Sequence, residues 1–149
     1  MKPAKSLKTR ALELLARREH SRQELQRKLA PHAENPAELE ELLDELAQHG
    51  WQSDERYAEV LIRSKSAKHG SLRLQQELAA NGIGSSTAKS LLPSREDEYA
   101  NACAVLRRKF AEPAADFTEK QKQIRFMLYR GFDMDTVSAA LKNAWDDES

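Results

Sequence analysis

Gln123-Ile124-Arg125-Phe126-Met127-Leu128-Tyr129-Arg130-Gly131-Phe132 is the stretch whose reading decides the fold. Ile124, Met127 and Leu128 recur at helical spacing and predict a packing stripe with arginines interleaved. Gly131 can take the left-handed conformation that stops a helix, and Phe132 can fold back onto the last turn. Weaker copies stand upstream: Leu25 and Leu29 in one, Leu74 and Leu78 ahead of Gly82-Ile83 in the other. Aligned, the copies give a period of about fifty residues, the signature of a repeat array. One mismatch of register remains, because Leu74 precedes Gly82 by eight positions and Ile124 precedes Gly131 by seven.

Outward from these copies the chain divides at its Gly, Pro and capping residues. Leu7, Ala11, Leu14 and Leu15 share one face of a first helix ending near His20. Ser21 with Glu24 forms a capping box that opens a short second helix, stopped by Pro31. Asn35-Pro36 opens a third, lined by Leu39, Leu42, Leu43 and Leu46 and stopped by Gly50. A second set follows, with Ser53 capping the stripe Tyr57, Ala58, Leu61 and Ile62. It continues through a short helix bearing Leu74 and Leu78 to one running from Ser85 to Leu92. The third set runs from Asp97 through Val105, Leu106 and Phe110, then from a Thr118–Gln121 capping box into the opening stretch. It closes with a helix entered at Asp133 or Asp135 that carries Val137, Ala140, Leu141, Ala144 and Trp145; the acidic tail Asp146–Ser149 is expected to fray. Nothing alternates with period two, so no strand is assigned. The expected fold is all-α: three tandem three-helix repeats, residues 1–50, 51–95 and 96–149. One unit alone exposes too much apolar stripe, so the units should stack into an elongated, curved array.

The formal net charge of zero conceals blocks of opposite sign. Residues 1–30 are basic, residues 34–45 carry six acidic groups and no basic one, and Arg63, Lys65, Lys68 and Arg73 form a later basic block. The single cysteine, Cys103, excludes an intrachain disulfide and a cysteine zinc site and suits a reducing compartment. No apolar run approaches a membrane span, and no signal-type core follows the basic start, so the cytoplasm is expected.

Three motifs, in order, resemble the RecX family of bacterial regulatory proteins, which modulate the RecA recombinase. The first is His20-Ser21-Arg22-Gln23-Glu24-Leu25 with Lys28-Leu29, similar to the family's S-x-x-E-L-x-x-K-L. The second is Asp54-Glu55-Arg56-Tyr57-Ala58 with Ile62, Gly70 and Arg73 to Leu78, up to Gly82-Ile83. The third is Ile124 to Phe132, which looks like the family's L-Y-R-G-aromatic signature. Lys68-His69-Gly70 departs from the family's Gly-aromatic-Gly turn and keeps only its last glycine. The resemblance implies a non-catalytic protein, monomeric and without cofactor. It implies binding to the RecA filament on DNA and inhibition of strand exchange, ATP hydrolysis and the co-protease action on LexA, with direct but weak DNA binding.

No Walker-type loop, GxGxxG, GxSxG or HExxH occurs, so no catalytic or metal residue is assigned. His20, His32, His49 and His69 stand at helix ends or turns, where capping or surface exposure explains them. Cys103 reads as a small buried hydrophobe, and Glu40, Glu41, Asp44 and Glu45 as a solvated face. The binding candidates are the basic sets, which recur at the corresponding turn of each repeat. The first set is Arg17, Arg18, Arg22 and Lys28, and the second Arg63, Lys65, Lys68 and Arg73. The third is Arg107, Arg108, Lys109, Lys120, Lys122, Arg125 and Arg130. A helix C-terminus favours Lys and Arg whatever the function, which covers any one of them. Recurrence at three places favours a basic stripe suited to phosphates or acidic protein patches. Tyr57, Tyr99 and Phe126 are expected to pack. Tyr129 lies off the stripe and joins the contact candidates. A general single-stranded nucleic-acid binder that needs no RecA is the competing expectation.

Overall fold

A computed structural model describes residues 4–146. Lys2 of the basic block and Asp147–Ser149 of the acidic tail lie outside the described residues. Within them are nine α-helices and no strand: α1 (Leu7–Arg17), α2 (Arg22–Leu29), α3 (Pro36–Gln48), α4 (Asp54–Lys65), α5 (Ser71–Ala80), α6 (Ser85–Leu91), α7 (Arg95–Lys109), α8 (Phe117–Tyr129) and α9 (Met134–Asn143). The chain folds into two compact units. Unit one is Met1–Val60 with Leu78–Ala88, and unit two is Leu61–Glu77 with Lys89–Ser149. The second helical triple is therefore shared between the two.

In unit one, Leu7 and Ala11 of α1, Leu25 and Leu29 of α2, and Leu39, Leu42, Leu43 and Leu46 of α3 form one core. Burying each leucine contributes about 1.5–3 kcal/mol. The capping box at Ser21 is formed in both directions: its hydroxyl accepts the Glu24 N–H at 3.1 Å, and the Glu24 carboxylate accepts the Ser21 N–H at 3.0 Å. Buried Gln52 ties the α1–α2 turn to α4, donating to the His20 carbonyl at 3.3 Å and to Asp54 at 2.9 Å. The first helix stops at Arg17 rather than near His20, because Arg18 is fully extended, with φ −167°. That turn sends His20 inward. Expected as a cap or surface group, His20 is buried, with Nδ1 3.0 Å from the Arg18 carbonyl and Nε2 3.2 Å from the Lys28 ammonium. An ammonium only donates, so Nε2 accepts and Nδ1–H donates to the carbonyl.

In unit two, α7 packs along α9. The core joins Ala102, Cys103, Val105 and Leu106 to Met127, Phe132, Val137, Ala140 and Ala144. Cys103 is buried, in keeping with its reading as a small hydrophobe. Asp116, not Thr118, caps α8, accepting the Glu119 N–H at 2.9 Å. A carboxylate is the better partner for free N–H groups and for the positive end of the helix dipole, so the helix starts two residues before the expected box.

Three helix ends share one device. Gly50, Gly82 and Gly131 have φ of 72°, 82° and 95°. The residue after each, Trp51, Ile83 or Phe132, donates its N–H to the carbonyl five residues back, at Leu46, Leu78 or Met127. These are Schellman stops. They correct the register of the opening stretch. Counting back from the glycine, Gln123 and Met127 correspond to Leu74 and Leu78. Gln123 and Met127 are buried, while Leu128, expected in the packing stripe, is 43% exposed and Ile124 is half-buried. The one-residue mismatch of the alignment vanishes. A polar side chain holds the inward slot that apolar pattern-matching passed over.

The C-terminal end of α8 meets the start of α5 within unit two. The Gly70 N–H donates to the Arg130 carbonyl at 2.8 Å and the Leu72 N–H to the Gly131 carbonyl at 3.0 Å. Free carbonyls at one helix end thus satisfy free N–H groups at another. The backbones are so close that a Cβ on Gly70 would strike the Gly131 carbonyl. The one glycine kept in the Lys68-His69-Gly70 turn is the one this apposition requires.

Candidate partner-binding surface

The last turns of α7 and α8 and the α4–α5 turn converge in unit two. They line a hollow of about 330 Å3 with Lys68, Val105, Arg108, Lys109, Phe126 and Arg130. Four of these six side chains are cationic and none is acidic. The Phe126 ring is flanked by the Arg130 guanidinium, 5.1 Å from its centroid, and the Lys109 ammonium at 5.6 Å. Phe110 meets the same ring edge-on, at 5.6 Å between centroids. Basic residues at the end of α7 complement the helix dipole, which explains why the sequence tolerates Arg107-Arg108-Lys109 there. Arg107 is otherwise engaged, donating to the Ala144 carbonyl at 2.8 Å and closing the end of α9.

Beside the hollow, the Arg73 guanidinium lies 5.3 Å from the Tyr129 ring centroid and 3.5 Å from the Tyr129 carbonyl. Tyr129 is 75% exposed, as expected of a contact residue. His69 Nδ1 and Arg130 Nε are enclosed without a hydrogen-bond partner. Burial, then the positive charges of Arg73, Arg130 and Lys65, holds the His69 imidazole below its ordinary pKa. Like charges gathered over an aromatic face repel one another, and an anion laid against them relieves that repulsion.

The remaining candidates divide by their partners. In unit one, Arg18 grips Glu24 through two nitrogens, at 2.8 and 3.2 Å, and Arg22 binds Glu40 at 2.7 Å and Asp44 at 2.8 Å. Both arginines are engaged in holding the fold. Arg17 and Lys28 line a smaller hollow of about 160 Å3 with Arg10, Glu13 and His32. In unit two, Lys65 pairs with Glu77 at 2.5 Å. Arg63, Lys120, Lys122 and Arg125 are exposed or half-buried at the surface, without an ion pair among the described residues. Phe126 packs against the core of unit two, as the sequence leads one to expect, and also turns its ring to the cations of the hollow; His69, expected as a cap or surface group, stands beside them with its imidazole partly enclosed. The signal available in the sequence is Phe126 standing four residues before Arg130, one helical turn apart. Among the described residues no cluster of three or more His, Cys, Asp or Glu could hold a metal ion. No helix among them is long and apolar enough to cross a membrane.

Family models for the first, second and third three-helix domains of RecX match residues 8–46, 53–92 and 96–141, in that order. The chain belongs to the RecX family. It is similar to the regulatory protein RecX of Neisseria meningitidis serogroup B, 63% identical over 147 residues that cover 99% of this chain and 96% of that one. It is also similar to the regulatory protein RecX of Chromobacterium violaceum, 47% identical over 144 residues, covering 97% and 94%. The crystal structure of RecX from Lactobacillus salivarius shares the fold, with a TM-score of 0.80 over 93% of this chain and 94% of that one, at 18% identity. The three motifs that suggested the family fall one in each matched domain, and the all-helical fold read from them is the fold observed.

Proposed function

We propose that this RecX-family protein regulates the RecA recombinase. It binds the RecA–DNA filament in the cytoplasm as a monomer and inhibits strand exchange, ATP hydrolysis and the co-protease action on LexA. The observation that carries the reading is the run of three RecX domain matches along the chain. Lys68, Arg108, Lys109 and Arg130, with Arg73 and Tyr129 beside them, supply the main contact. They meet phosphates of the filament's DNA or acidic patches on its protein, while Arg63, Lys120, Lys122 and Arg125 of unit two, and Arg17 and Lys28 of unit one, add further surface charge. The division into three repeats, residues 1–50, 51–95 and 96–149, gives the partner a series of similar contact points. RecA ATP hydrolysis on single-stranded DNA, followed with and without an excess of this protein, tests the reading. Inhibition is expected, and an unchanged rate overturns it.

A second reading has its own support in the four cations and the aromatic face of the hollow, which also suit bare single-stranded DNA. About five phosphate contacts would give a log–log salt slope near −3.5, roughly a hundredfold loss of affinity between 50 and 200 mM salt. Weak, salt-sensitive binding to DNA alone beside tight, salt-tolerant binding to the filament favours the RecA reading. The reverse favours the general binder.

A further inference from the structure

A hollow of about 520 Å3 in unit two lies between α8 and α9 and shares no lining residue with the basic hollow. Pro113, Phe117, Ile124, Met134 and Leu141 give it an apolar wall. Phe117 is 75% exposed and Met134 46%, so large apolar side chains stand at its mouth, where an unpartnered monomer rarely keeps them together. Its charged lining residues are Lys120 and Lys142, and neither makes an ion pair among the described residues. Nearby carboxylates are turned to other work. Asp116 and Asp133 cap α8 and α9, and Glu119 accepts the Ala115 N–H at 2.8 Å. The charged side chains that line the hollow are thus both cationic, beside an apolar floor.

Gln123 adds an independent mark. It lines this hollow, is 3% exposed, and donates through Nε2 to the Glu112 carbonyl at 3.3 Å. That bond fixes which end of the amide is NH2 and leaves Oε1 without a donor. A buried acceptor left unpaired is costly, which marks this end of α8 as a place where packing is not optimised for the chain alone.

We propose that the α8–α9 groove docks an acidic peptide segment of a partner protein. One large apolar side chain enters between Phe117, Ile124, Met134 and Leu141, and carboxylates beside it pair with Lys120 and Lys142. An apolar anchor in a pocket with complementary charge at the rim is the usual arrangement of a binding hot spot. A second copy of this chain is a poor occupant. Its acidic helix, α3, turns Leu39, Leu42, Leu43 and Leu46 inward and has no leucine of that set to offer. The site stands whether or not the partner is RecA.

The test is selection of random short peptides displayed on phage against the full chain, followed by fluorescence anisotropy of the enriched sequences. Enrichment of large apolar residues flanked by Asp or Glu is expected. Binding should weaken about tenfold or more for Lys120→Glu/Lys142→Glu and for Phe117→Ser, each shown by circular dichroism to fold like the parent. Failure to enrich any sequence, enrichment without acidic residues, or affinity unchanged in the charge-reversed variant overturns the proposal. So does a dimer, or binding to anionic vesicles, that Phe117→Ser abolishes, since the face would then belong to a second copy or to a lipid surface.

Discussion

Unit one and unit two are both rich in cations but use them differently. In unit one, Lys8, Arg18, Arg22 and Arg56 meet Glu45, Glu24, Glu40 with Asp44, and Glu19. In unit two, Lys68, Arg108, Lys109 and Arg130 face one another around Phe126 with no carboxylate among the lining residues. A cation already paired with a carboxylate must lose that partner to bind an anion, whereas an uncompensated cluster gains by binding one. The number of basic residues is thus a poor guide to a binding surface. The placement of the acids decides.

The largest expected effect bears on which face of unit two is core. Met127→Ala should cost about 2–5 kcal/mol in urea unfolding, while Leu128→Ala should stay within about 0.5 kcal/mol. Equal losses would restore the register read from the apolar pattern alone. Next, Arg108→Glu with Arg130→Glu should weaken filament binding about a hundredfold, roughly 2.7 kcal/mol, with little change in the unfolding midpoint. A smaller effect of the opposite kind is expected in unit one. Arg18→Gln with Arg22→Gln should lower stability by about 1 kcal/mol, discounted because water screens these partly exposed pairs, and leave filament binding within about twofold.

The smallest effect is pH dependence in unit one. Burial, then the charges of Arg18 and Lys28, holds the His20 imidazole below its ordinary value of 6.5 against the hydrogen bond to the Arg18 carbonyl. A group whose pKa is depressed on folding contributes stability that is present above the unfolded value and lost as pH falls toward the folded one. Glu24 adds to this at lower pH. Burial raises its pKa, but the Arg18 and Ser21 hydrogen bonds outweigh burial and hold it below the carboxylate norm. Thermal melts should therefore show stability falling as pH drops below about 6.5. His20→Gln should flatten the upper part of that slope, and an unchanged slope would place the titrating group elsewhere.

The helices are legible in the sequence because their signals are local. Ser21 with Glu24, Asn35-Pro36, and glycines at 50, 82 and 131 set boundaries by chemistry within a few residues. The inward face of α8 is not legible, since Gln123 occupies a core slot and Leu128, one place beyond Met127, offers a false stripe. Asp116 displaces Thr118 as a cap because its carboxylate serves the free N–H groups and the helix dipole better, a preference that the match to a capping-box pattern at Thr118 hides. The division of the cations is beyond sequence reach for a different reason. Arg22 meets Asp44 across 22 positions and Arg56 meets Glu19 across 37, pairings that the tertiary fold alone creates. Lys68 likewise joins Arg108 and Arg130 around one hollow only once the α4–α5 turn and the ends of α7 and α8 have come together.

The most direct test compares filament affinity, by anisotropy of labelled DNA carrying RecA, for two equally folded variants. One neutralises unit two through Arg108→Gln, Lys109→Gln and Arg130→Gln, and the other neutralises unit one through Arg18→Gln and Arg22→Gln. A loss of about tenfold or more confined to the unit-two variant is predicted. Equal losses from both, or a loss confined to unit one, would contradict the assignment of the binding surface to the uncompensated cations of unit two.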